Sequence, residues 1–245
     1  MSINISKIIY TWFQDASILK ICLTVATAVA ACWTAEVFAI VHFVDNKEVL
    51  PQVIITALGT TAALASLIVA AIGVLVSSRR QRRHETVKAY AAWSEGTMDK
   101  FKCLTSHLDS KVPLDSERVK WILTPNSAPE GTLSDLLKSN SVEEALEIGR
   151  SIRYILNGLE RLAVGTYEGF YDQSTLKQLA GSLIVKIYDR NKEYVEAVQH
   201  GAYTGKPASR TYETLQWLAE DFRRQFELEK RIAEGRERRV SSRRS

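Results

Sequence analysis

Two long apolar runs open the chain, and a three-and-four spacing of apolar residues governs most of the remainder. The first run extends from about Ile18 to Val44 and is interrupted by Lys20, Glu36 and His42. The second extends from about Val49 to Val76 and carries no charge. A hydrocarbon layer about 30 Å thick takes about 20 residues of helix. Both runs therefore predict transmembrane helices, over about 18–44 and 50–77. Only Asp45-Asn46-Lys47-Glu48 separates them, so they must form an antiparallel hairpin with both chain ends on one side.

Beyond Arg79 the pattern changes to amphipathic helices. Val87, Tyr90, Ala91, Ser94, Met98, Phe101, Leu104 and Leu108 continue the second run as one helix, which Val112-Pro113 ends. Residues 109–140 read as loop around a short helix from Ser116 to Leu123. Ser141 and Glu144 form a capping box ahead of the stripe Leu146, Ile152, Ile155, Leu159, Leu162 and Ala163. After a turn with two glycines, Ser174 is the expected cap of a helix carrying Leu176, Leu179, Leu183, Ile187, Tyr194 or Val195, and Val198. Gly201 to Pro207 breaks the chain. A last helix starts near Arg210, with Tyr212, Leu215, Leu218, Phe222 and Phe226 on one side. No strand alternation is present. The predicted fold class is all-α: a two-helix transmembrane hairpin followed by a cytoplasmic helical bundle. The predicted organisation is an interfacial segment at 1–16, the hairpin at 17–78, the helical domain at 79–234 and a basic disordered tail at 235–245.

Charge fixes the orientation. Arg79, Arg80, Arg82 and Arg83 follow the second run directly and are the expected lipid-headgroup contacts. The hairpin loop has one Lys against two acids. The positive-inside rule then puts both termini in the cytoplasm of a bacterial inner membrane, with Tyr10, Trp12 and Phe13 at the interface. The net charge of +4 resides in the tail, where five Arg meet one Glu from Gly235 onward. That tail has no aromatic residue to stack on a base, which disfavours nucleic acid as a partner. A rival reading takes Val29-Ala30-Ala31-Cys32 as a lipoprotein cleavage site. The chain stays apolar after Cys32, where such sites carry a polar tether.

Two features of the apolar runs bear on function. Glu36 lies about 13 Å below the hairpin loop, where a carboxylate costs a few kcal/mol. It reads either as a polar contact or pore-lining group in an oligomer, or as a group that is protonated or reaches the outer interface. Thr56, Gly59, Ala63, Ser66, Ala70, Gly73 and Ser77 form a stripe of small residues at helix-packing spacing. It suits a second copy of the chain, or the first helix of the same hairpin.

The stretch Ile155-Leu156-Asn157-Gly158-Leu159-Glu160-Arg161-Leu162-Ala163-Val164-Gly165, followed by Gly169 and Asp172, resembles an uncharacterised family of bacterial membrane-anchored helical proteins. The shared motif is an Asn and a Glu one helical turn apart, then a Gly-containing turn and an acidic residue. The resemblance covers about 50 of the roughly 165 residues after the apolar runs. It implies architecture and no established activity, and it marks Asn157, Glu160 and Asp172 as ligand or partner residues. A structural reading stands beside that one: Asn157 and Glu160 share a helix face and bond across to a neighbouring helix, while Asp172 suits a helix N-terminus.

No phosphate-binding loop, dinucleotide turn or zinc-protease signature is present. Cys22, Cys32 and Cys103 do not form a metal-ligand set, and the four histidines are scattered. The expectation is therefore no cofactor, no metal and no catalytic residue. The expected partners are the lipid bilayer, a second copy of the chain, and a protein or small anionic ligand. The function expected is a membrane-tethered interaction or signalling module. Its sharper form is an oligomerising membrane effector of the anti-phage defence type. The alternative is a membrane-bound enzyme or ligand sensor with a polar site around Glu160 and Asp172.

Overall fold

The computed structural model describes residues 27, 31, 33, 34, 38, 50–109, 112–129, 131–139, 141–208 and 210–241. The described residues are helical or turn, with no strand among them. The helices are α1 (Leu50–His107), α2 (Ser116–Leu123), α3 (Thr132–Leu137), α4 (Val142–Tyr167), α5 (Gln173–Arg190), α6 (Lys192–His200) and α7 (Glu213–Ser241). The chain divides into two compact units, Met1–Ser78 and Arg79–Ser245. Most of the first predicted apolar helix, including Glu36 and Cys32, lies outside the described residues, as does the hairpin loop.

Helix α1, which begins in the first unit, is long and apolar enough to cross a membrane, with a mean hydropathy of 2.2 over its most apolar stretch and none of that stretch buried. Thr61, Ala65, Ile68 and Ile72 are half-buried and share one side of the helix. The small residues Thr56, Gly59, Ala63, Ser66, Ala70, Gly73 and Ser77 are all exposed. At about 100° per residue they centre about 160° away from the half-buried side. A Cβ added to Gly59 or Gly73 would meet nothing within 4 Å.

The second unit has a continuous apolar core built on α4. Ile148, Ile152, Leu156 and Leu159 of α4 are buried with Val119, Leu137, Leu176, Ile184, Tyr194, Leu215, Leu218 and Phe222. The helix starts follow from local chemistry. Asp115 caps α2 by accepting from Arg118 N at 2.7 Å, and Ser141 caps α4 by accepting from Glu144 N at 3.2 Å. The chain leaves α6 through Gly201 at φ 65°, with Ala202 N donating to Ala197 O and Gly201 N to Val198 O, an αL termination.

Six expectations need correction. On α1 the packing face is Thr86, Tyr90, Trp93, Thr97, Phe101, Leu104 and Leu108, whereas Val87, Ala91 and Met98 are exposed. The two threonines bond their own helix, Thr86 Oγ1 to Arg82 O and Thr97 Oγ1 to Trp93 O, and so enter the core without an orphaned hydroxyl. On α5, Leu179 and Leu183 are exposed while Ala180 and Ile184 are buried. The cap of α5 is Asp172 rather than Ser174. The single helix expected over 174–198 is interrupted at Asn191, because Arg190 O accepts from Leu114 N instead of continuing the helical ladder. The region expected as loop holds a 3-10 turn, Pro125–Ser127, and α3, which starts after Gly131 at φ 81°. The segment expected as a disordered tail is helical through Ser241. No proline interrupts it, and Glu227/Arg231 stand at the supportive four-residue spacing.

Candidate functional site

Asn157 and Glu160 lie one turn apart on α4, and both meet the chain where α7 begins. Tyr212, the residue before α7, is held at φ 65° and is buried. A bulky residue in the left-handed region costs about 1–3 kcal/mol and persists only where its surroundings hold it. Here the Tyr212 hydroxyl donates to Asn157 Oδ1 at 2.9 Å. Burial pushes the Tyr212 phenol above its ordinary pKa, which keeps it a neutral donor. One turn along α4, Glu160 Oε2 accepts from Leu215 N at 2.7 Å. Leu215 is the third residue of α7, so its amide is one of the four that a helix leaves without an internal partner. A carboxylate from α4 thus performs the capping of α7, and its charge suits the positive end of the helix dipole.

Between these two polar residues sits Gly158, over which Trp93 of α1 lies. A Cβ on Gly158 would fall 2.3 Å from Trp93 Cδ1. Trp93 Nε1 donates to Ile155 O at 3.4 Å, and the Trp93 ring meets Phe101 edge-on at 6.2 Å. The Asn-Gly-x-Glu segment is therefore a two-sided junction, with the start of α7 on the polar side and α1 on the glycine.

Asp172 has a separate task. Its Oδ1 accepts from Thr175 N at 2.8 Å and from Thr175 Oγ1 at 2.6 Å, capping α5. Its own backbone N–H donates to Thr86 Oγ1 of α1 at 2.8 Å, and Arg83 Nε stands 4.0 Å from Oδ1. The structure brings Asn157 and Glu160 together and places Asp172 with a different partner set. Among the described residues, no hydrogen bond joins Glu160 to Asp172, and no group of three or more His, Cys, Asp or Glu side chains is placed to hold a metal ion. The four arginines follow the apolar part of α1, with Arg80 exposed and the Arg83 side chain 63% exposed. Gly59, Ala63, Ser66, Ala70 and Gly73 lie together on one exposed side of α1. Glu36 lies outside the described residues.

Sequence reasoning missed Thr86 and Trp93, and it placed Tyr212 inside the last helix rather than ahead of it at positive φ. For Thr86 the helical periodicity of polar and apolar letters misleads, because its hydroxyl is satisfied within its own helix. For Tyr212 no sequence signal exists, since φ above zero is expected of glycine or asparagine. Gly158 carried a usable signal: a glycine inside a strong helix calls for a close neighbour.

The arrangement defines an all-helical domain with a long apolar helix at its start, locked by hydrogen bonds from α4 to the start of α7 and from the start of α5 to Thr86 within α1. Its family follows from the pattern matched over residues 60–222: the chain belongs to the DUF4760 family, a domain of unknown function. The match takes in the apolar part of α1 from Thr60 and runs to Phe222 in α7. No curated protein and no solved structure matches the chain.

Proposed function

We propose that this protein is a membrane-tethered helical interaction or signalling module, held by a two-helix transmembrane hairpin with both termini in the cytoplasm of a bacterial inner membrane. The carrying observation is the uncovered apolar surface of α1. Ile55, Leu64, Leu67, Val69, Val74, Leu75 and Val76 are each 37–70% exposed. Keeping seven such side chains in water forgoes on the order of 10 kcal/mol of burial, comparable to the whole stability of a domain, about 5–15 kcal/mol. Lipid is the solvent that removes the cost. The arginine cluster at the end of this run supports the cytoplasmic assignment of the bundle.

The oligomerising-effector form of this reading draws support from the small-residue stripe. Its residues are exposed along one side of α1, at a spacing that suits close approach of a second copy. The enzyme reading gains nothing from Glu160 and Asp172, since each carboxylate accepts from a helix N-terminal amide.

The test is reconstitution of the full chain in phosphatidylcholine–phosphatidylglycerol vesicles. The chain is expected to stay with the vesicles through an alkaline carbonate wash, and Cys103 to react with a thiol reagent only from the side that carries the bundle. Release by carbonate would overturn the tether. For the effector form, vesicles loaded with dye should leak when the chain is cross-linked, and less so with Gly59→Leu and Gly73→Leu together. Absence of leakage at any density of cross-linked chain would sink it.

A further inference from the structure

The turn between α4 and α5 carries large aromatic side chains that the bundle leaves mostly exposed. Tyr167 is 65% and Phe170 70% exposed. The turn that presents them is well fixed. Gly169 takes φ 79° and Tyr171 N donates to Gly165 O at 3.0 Å. The Tyr171 ring folds back onto Gly165, where a Cβ would fall 2.3 Å from the ring edge. Asp172 N is tied to Thr86 Oγ1. Tyr167 in turn meets Trp217 of α7 edge-on at 5.3 Å. The exposed rings are therefore held in place on a rigid turn.

Their height along α1 follows from the α1–α4 contacts. Lys100 Nζ meets Glu147 Oε1 at 2.8 Å, a Cβ on Gly96 would meet the Tyr154 hydroxyl at 3.0 Å, and Trp93 lies on Gly158. The two helices run antiparallel, so each step back along α1 matches a step forward along α4. Nine residues beyond Gly158 is Tyr167, and nine before Trp93 is His84. Tyr167 therefore lies level with the arginine cluster, and the bond from Asp172 to Thr86 keeps the rest of the turn there. Tyr and Phe at the height of Arg80 and Arg83 make up the composition of a membrane–water interface: rings for the acyl boundary and guanidinium groups for phosphate. Glu168 and Asp172 are the acids on this turn, and Arg83 stands by Asp172.

We propose that the α4–α5 turn is a second membrane contact, with Tyr167 and Phe170 seated in the headgroup region of an anionic bilayer beside Arg80 and Arg83. It rests on the membrane-tether reading. It adds that the bundle touches the bilayer at this turn, which leaves its α2–α6 end the farthest from the headgroups. Arg190, whose Nη2 donates to Asp109 O at 3.1 Å, marks that far end. Asp109 is 26 residues along the chain from Arg83, about 39 Å at helical rise.

The experiment places single cysteines by Phe170→Cys, Arg80→Cys or Glu193→Cys in the full chain, with Cys22, Cys32 and Cys103 changed to Ser. Each is labelled with a small fluorophore after reconstitution in equimolar phosphatidylcholine–phosphatidylglycerol vesicles. A nitroxide carried on the lipid headgroup is the quencher. Labels at 170 and 80 are expected to be quenched to within a factor of two of each other, and the label at 193 not at all. Quenching at 80 with none at 170 would overturn the proposed contact and leave the tether intact. No quenching at 80 together with release by carbonate would overturn the tether itself, and the contact with it. Thr86→Val, which removes the acceptor of the Asp172 amide, is expected to lower quenching at 170 at least twofold while 80 is unchanged; equal quenching at 170 would overturn the role given to Thr86.

Discussion

Glu160→Ala removes the acceptor of the Leu215 amide, a bond of 2.7 Å between a carboxylate and the third residue of α7. Loss of a helix cap costs about 0.5–2 kcal/mol, and a hydrogen bond to a charged group is worth about 1.5–3 kcal/mol. Glu160 is half-buried, so water recovers part of the loss. The expected destabilisation is about 1–2 kcal/mol, which for a unit of this size lowers Tm by about 2–8 °C. Glu160→Gln keeps an oxygen acceptor and loses the charge, so it should cost about half as much. The assay is thermal unfolding of the full chain in detergent, followed by circular dichroism in the far ultraviolet. Hydrogen exchange adds a local readout: protection at Leu215 should fall before protection at Ile152 in the core. Wild-type stability in Glu160→Ala would refute the capping argument and return Glu160 to the candidate binding residues.

Gly158→Ala gains helix propensity of about 1 kcal/mol but drives a methyl into the Trp93 ring, so a net loss of about 1–2 kcal/mol is expected, with a shift in Trp93 emission. Asn157→Ala and Tyr212→Phe should each destabilise by about 1 kcal/mol, and the double variant should cost less than the sum, because both remove the same bond. The Lys100–Glu147 pair shows a defined pH window. Its hydrogen bond raises the Lys100 pKa above 10.5 and lowers the Glu147 pKa below 4.5. The Glu147 contribution is present above 4.5 and is lost as pH falls through its folded value. The Lys100 contribution is present below 10.5 and is lost as pH rises through its folded value. Both groups are more than a third exposed, so Lys100→Met should cost under about 1 kcal/mol at neutral pH, and nothing further below the folded pKa of Glu147.

The sequence by itself determined the helical class, the uncharged run that makes α1 apolar, and the starts of α2 and α4, because these depend on local periodicity and on caps three residues away. It also marked Asn157, Glu160 and Asp172 as a group, through a motif that the fold explains as an assembly device. Only the tertiary structure decided which way each helix turned its faces. Thr86 and Thr97 face inward since their hydroxyls bond within the helix, and Leu179 faces outward although its letter is apolar. Likewise, Leu114 on a distant segment took the carbonyl of Arg190 and ended α5 there. The left-handed Tyr212 depends on Asn157 of α4, 55 residues away in sequence. Helical spacing is a short-range property of the chain. The partner that satisfies a helix end, or fills the space over a glycine, arrives from elsewhere in the fold.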